Sequence, residues 1–142
     1  MIPIVERVLF LRGVPLFRGL SGEELVRVAA IAEEVVTPAD GWLVREGELG
    51  DALYLVVRGR VSIEKGTRAV AELGPRECVG ELALLDAEPR SASARALGEV
   101  LALRLERAPF LELIDERPEL ARGILRILAQ RLRETTARNT PR

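Results

Sequence analysis

The chain has 142 residues, 48% of them hydrophobic, with 21 basic and 22 acidic side chains and a net charge of -1. Those figures suit one domain with one packed core, and they argue against disorder and against a dedicated nucleic-acid binder, which would carry a basic excess. There is no histidine, so Ser-His and Cys-His catalysis and histidine-based metal sites are removed, with carboxylate chemistry left as the remaining enzymatic route.

From the N-terminus, residues 1–32 read as helical. Ile4, Val8 and Leu11 recur at helical spacing and Gly13 stops the run. Glu6 and Arg7 interrupt the apolar start, which does not fit a signal peptide. Val14-Pro15-Leu16-Phe17 is a short apolar turn. Ser21 then starts a second helix, with Glu24 at the capping-box spacing and Leu25, Val28, Ala29 and Ala32 on the apolar face.

Residues 33–106 read as strands. Short runs of valine, leucine and isoleucine alternate with Gly41, Gly47, Gly50, Gly59, Gly66 and Gly74-Pro75, the pattern of a sandwich or barrel. Lys65-Gly66-Thr67 reads as a hairpin turn, and Gly98-Glu99 as another. Cys78 is the single cysteine, which excludes an internal disulfide and fits a reducing cytoplasm; it is expected to be a small buried residue.

Residues 107–138 return to helix. Ala108 to Ile114 makes a short one, and Pro118 sits near the first turn of a longer one, where its missing N–H costs little. The long helix carries two adjacent apolar stripes: Ala121, Leu125, Leu128, Leu132 and Thr135, and beside it Leu120, Ile124 and Ile127. Either both are buried in this domain or one of them meets a partner helix. Gly123 costs roughly 1 kcal/mol of helix propensity there. No apolar run is long enough to cross a bilayer.

The segment Gly80 to Ala92 holds the candidate site. If Gly80 ends a strand and residues 81–85 form one helical turn, the first N–H groups of that turn lack partners and favour a phosphate. Gly80 lets a ligand approach the backbone. Arg90 follows Pro89 at the expected start of the next strand, with its guanidinium suited to paired hydrogen bonds with a phosphate. Ser91 adds a hydroxyl and an N–H, and Glu81 an acceptor for a ribose hydroxyl. A plain surface ion pair between Glu81 and Arg90 fits the same residues.

Gly80-Glu81-Leu82-Ala83 followed by Pro89-Arg90-Ser91-Ala92 resembles the phosphate-binding cassette of cyclic nucleotide-binding domains, and Glu46 to Val61 is similar to that family's glycine-rich strand region. The resemblance runs from about Val14 to Arg138. It implies a mainly β fold, an eight-stranded jelly-roll barrel with N-terminal helices and a long C-terminal helix, in a single domain over 1–142 with the cassette at 80–92. It implies that Glu81 takes the ribose 2′-hydroxyl and Arg90 the cyclic phosphate. Ser91 and the N–H groups of Leu82 and Ala83 complete the cradle, and Gly80 permits the approach. Thr135 and Thr136 stand where the bacterial catabolite-activator branch places a Thr-Ser pair against the adenine.

Serine at position 91 resembles the cyclic-AMP-responsive bacterial members, so cyclic AMP is the expected ligand, with cyclic GMP the alternative. No cofactor, metal, enzyme activity or membrane contact is expected. Bacterial transcription factors of this type continue past the long helix into a helix-turn-helix. Here only a few residues follow, so the expectation is a cytoplasmic sensor that does not itself bind DNA and works with an effector domain outside this chain. The competing reading is a fold that has lost its ligand and serves as a homodimerisation module through the C-terminal helix.

Overall fold

The computed structural model describes residues 1–84 and 86–139, with the side chains of 81, 82 and 135–139 outside that description. Helix α1 (Ile4–Arg12), a 3-10 turn (Pro15–Phe17) and α2 (Gly22–Ile31) come first. Strands β1 (Glu33–Thr37), β2 (Trp42–Val44), β3 (Leu49–Gly50), β4 (Ala52–Arg58), β5 (Val61–Lys65), β6 (Arg68–Leu73) and β7 (Cys78–Val79) follow. A second 3-10 helix (Glu81–Leu84) leads to β8 (Glu88–Pro89), β9 (Ser93–Ala96), β10 (Val100–Glu106), α3 (Arg107–Glu116) and α4 (Pro118–Asn139).

Local chemistry sets the helix ends. The Ser21 hydroxyl accepts from the Glu24 N–H at 3.2 Å, and the Glu24 carboxylate accepts from the Ser21 N–H at 2.8 Å, so the capping box is complete. At the other end of α2 the Arg7 guanidinium donates to the carbonyls of Ala29 (3.3 Å) and Ala32 (2.7 Å). A cation there satisfies orphan carbonyls and faces the negative end of the helix dipole. Pro118 is the first residue of α4.

Eight strands form two antiparallel sheets, ordered β1-β10-β4-β7 and β2-β9-β5-β6, and β3 pairs with β8 in a ribbon of its own. Among the described residues, then, the jelly roll is two facing sheets rather than a closed eight-stranded barrel. The two-residue loop Gly66-Thr67 joins β5 to β6 with Lys65 opposite Arg68, and Gly66 has φ +60°, the left-handed conformation such a tight turn demands.

Strand alternation builds two cores. Leu53 and Leu55 of β4 and Leu103 and Leu105 of β10 are fully buried against the helices, packed with Leu11, Phe17, Leu25, Phe110 and Leu120. Tyr54, Val56, Val100 and Ala102 point the other way and meet Val61, Ala94 and Ala96 of the second sheet. Each fully buried leucine contributes roughly 1.5–3 kcal/mol of transfer free energy. The first core fixes the helices to the outer face of the sheet, and the second leaves a cleft between sheets lined with small and branched residues.

The two stripes of α4 have different fates. Leu120, Ile124 and Ile127 are buried in the domain. Leu125 and Leu132 are 62% and 67% exposed, and Leu128 is half-buried. Gly123 explains its place in the helix: a Cβ there would lie 2.8 Å from the Leu20 side chain and 3.4 Å from the Gly19 carbonyl oxygen. α4 thus rests on the corner before α2 with a glycine on each side.

Candidate functional site

The site begins with a clamp on the backbone of Arg90. In the β3–β8 ribbon, Leu49 faces Pro89 and Gly50 faces Glu88. One residue on, the Arg90 N–H donates to the Glu48 carbonyl at 2.7 Å, and the Arg90 carbonyl accepts from the Gly47 N–H at 2.8 Å. Arg90 itself belongs to no strand, contrary to the expectation that a strand position aims it. Its direction comes from these two bonds and from Pro89, whose ring holds the chain extended before it.

The side chain then runs through a slot between two glycines. A Cβ on Gly50 would lie 2.6 Å from Arg90 Nε, and one on Gly80 would overlap Nη1. Gly80 also has φ +77°, which a side chain rarely adopts. Gly80 was expected to make room for a ligand; in the structure it makes room for the arginine. At the end of the slot Nη2 donates to the Ala52 carbonyl at 2.7 Å.

Burial pushes the Arg90 guanidinium below its ordinary pKa, with Tyr54 and Asp51 working the other way and Arg104 adding to the fall. The group stays charged at any physiological pH. Among the described residues no carboxylate stands within ion-pair distance of it. Among the described residues this half-buried cation hydrogen-bonds one neutral carbonyl and makes no ion pair, so an arriving anion meets a guanidinium with no salt bridge to give up.

Arg90, Gly80 and Ser91 border a cavity of about 250 Å³ whose other walls include Val44, Ile63, Leu73, Val79 and Ala94. A second cavity of about 480 Å³ adjoins it along Cys78, Ala83, Glu88 and Pro89, sharing Gly80, Arg90 and Ser91. The cleft therefore pairs a cation and a hydroxyl at one end with branched apolar walls at the other. That combination suits a small anion carrying a flat, weakly polar group.

The structure brings Gly80, Arg90 and Ser91 together. Glu81, Leu82 and Ala83 fall in the second 3-10 helix, where the Ala83 N–H donates to the Gly80 carbonyl at 3.0 Å. That N–H, expected to face a phosphate, instead closes the turn in this conformation. The expected helical turn over 81–85 is a 3-10 helix over Glu81–Leu84, and Leu85 lies outside the described residues. The side chains of Glu81, Leu82, Thr135 and Thr136 also lie outside them. Cys78, expected to be a small buried residue, is half-buried and borders both cavities. Sequence reasoning missed Gly50, the Ala52 carbonyl and the apolar wall. Only the wall left a signal, the apolar alternation along β5 that includes Ile63.

A facing pair of sheets that holds a half-buried guanidinium at an apolar cleft is suited to an organic anion. The chain belongs to the cyclic nucleotide-binding domain family, whose model matches residues 34–117. It is 39% identical over 129 residues to the cyclic AMP receptor protein of Thermus thermophilus, covering 87% of this chain and 60% of that protein, so it spans somewhat less than two thirds of that relative's length. Among solved structures it is similar to the N-terminal domain of a transcriptional regulator from Streptomyces coelicolor A3(2), at 36% identity and a TM-score of 0.86, covering 93% of this chain and 96% of that one. It is also similar to the regulatory domain of Toxoplasma gondii PKA crystallised with cAMP, at 27% identity and a TM-score of 0.75, covering 92% of this chain and 50% of that one. No helix among the described residues is long and apolar enough to cross a membrane.

Proposed function

We propose that this domain binds cyclic AMP and acts as a regulatory sensor, with no catalysis of its own. The observation that carries this reading is the Arg90 guanidinium, half-buried at the cleft and paired only with the Ala52 carbonyl among the described residues. The cyclic phosphate docks on Arg90 and Ser91, with the Leu82 N–H beside them, and the Ala83 N–H joins if the 3-10 turn opens. Glu81 takes the ribose 2′-hydroxyl. The base lies toward Val44, Ile63 and Leu73, and Thr135 and Thr136 approach it from α4. The names of the Thermus receptor and of the cAMP-bound Toxoplasma domain support the choice of ligand.

The response is a population shift. A ligand moves α4 only as far as it binds one arrangement of the helices more tightly than the other. The output is an effector outside this domain, in the cytoplasm, and the domain does not itself bind DNA. Calorimetric titration with cyclic AMP and cyclic GMP tests the reading. Saturable binding, tighter for cyclic AMP, is expected. No heat with either nucleotide at millimolar concentration would sink it.

The exposed pair Leu125 and Leu132 favours a second role for α4. Seven residues apart, they share one helix face, as the seam of a coiled coil requires. Self-association through this face is read by light scattering, with and without cyclic AMP. A dimer that ignores the nucleotide would favour a pure interaction module.

A further inference from the structure

We propose that Gly50 is a positioning residue for the anion site, acting through the side chain it lacks. The inference rests on the reading of Arg90 as the phosphate ligand and adds a residue forty positions upstream that acts through Arg90.

Gly50 is buried, and its backbone does not lie in the left-handed region. An alanine there meets no conformational objection. The three nearest atoms that a Cβ at position 50 would meet all belong to Arg90: Nε at 2.6 Å, Cζ at 2.8 Å and Cδ at 2.9 Å. These separations are shorter than a carbon can sustain, so one partner moves. The three atoms belong to the far end of a long, rotatable side chain. The glycine backbone, by contrast, is fixed in the β3–β8 pairing.

A methyl group at position 50 therefore leaves the ribbon in place and drives the guanidinium out of its slot. Once out, Nη2 loses the Ala52 carbonyl, and the charge returns to solvent. Stability changes little, because a half-buried cation regains its water. Ligand affinity falls, because a phosphate now has to bring the arginine back.

Gly80, on the other flank, cannot make this separation. Its φ of +77° strains any side chain, so a substitution there disturbs the backbone as well. Position 50 is where the arginine's aim can be altered without altering the fold.

The experiment is a cycle of Gly50→Ala and Arg90→Ala, singly and together, in the full chain. Each variant is read by thermal melting without ligand and by calorimetric titration with cyclic AMP. Gly50→Ala is expected to melt within about 3 °C of the parent and to bind cyclic AMP roughly tenfold or more weakly. Added to Arg90→Ala, it should change neither the melting temperature nor whatever binding remains. Parental affinity in Gly50→Ala would overturn the proposal. So would an equal melting loss with and without Arg90, since Gly50 would then serve the backbone. A parent that takes up no cyclic nucleotide overturns the positioning role together with the reading beneath it, and the melting cycle then reports the packing of Gly50 on Arg90 by itself.

Discussion

Arg90 and Arg95 stand five residues apart and have opposite surroundings. Arg95, on β9, meets Glu64 and Asp40, each at 2.9 Å. Its pKa is pushed up, first by the hydrogen bond with Glu64. Arg90 meets a backbone carbonyl and is pushed down by burial. One arginine is satisfied by its own chain and is structural. The other is kept from carboxylates among the described residues and framed by glycines, which costs stability unless a negative ligand arrives. Function is read more surely from the arginine that the fold leaves electrically incomplete than from the one with most partners.

Arg90→Ala should break the contrast most severely. Cyclic AMP binding is expected to weaken by on the order of 2–5 kcal/mol, because a desolvated phosphate loses its charged partner. Melting of the unliganded variant should stay near the parent. Calorimetry and melting together decide it, and unchanged affinity would move the anion site elsewhere.

Arg95→Ala should give the reverse at smaller size. Affinity for cyclic AMP should hold within about twofold, and urea denaturation should show a small loss of stability, as expected for a solvent-screened ion pair. A large loss of affinity would show that both arginines serve the ligand.

Glu64→Gln gives the smallest and most conditional effect. The hydrogen bonds from Arg95 and then Ser62 hold the Glu64 carboxyl below its usual pKa. A depressed folded-state pKa stabilises the fold above the unfolded value, about 4.3, and that stabilisation is lost as pH falls through the folded value. The parent should therefore lose stability faster than Glu64→Gln as the pH falls below the ordinary carboxyl value of about 4.3. Parallel acid limbs would mean that the pair does not matter to the fold.

Much of the frame was legible because its signals are local. Ser21 and Glu24 cap a helix three residues apart, Gly66 and Thr67 turn a hairpin between adjacent strands, and Pro118 opens a helix at its first position. Of the run Gly80 to Ala92 singled out in the sequence, Gly80, Arg90 and Ser91 meet at one cleft. What was not legible depends on distant pairing. Arg90 was given a strand because its neighbours alternate, whereas bonds to Gly47 and Glu48 fix it. Gly50 was read as strand punctuation because its contact is with a side chain forty positions later. The two stripes of α4 could not be assigned from spacing alone, since only the packed fold shows which one the domain covers.

The crossing of Gly19 and Gly123 has a mechanical consequence. Where two helical segments touch through long side chains, rotamer changes absorb small shifts. Here the turn at Gly19 brings its main chain against that of Gly123, with the Leu20 side chain beside them, and close-packed atoms leave little slack. A shift of the last helix at Gly123 would therefore press directly on the turn that leads into α2, with no long side chain between them to yield.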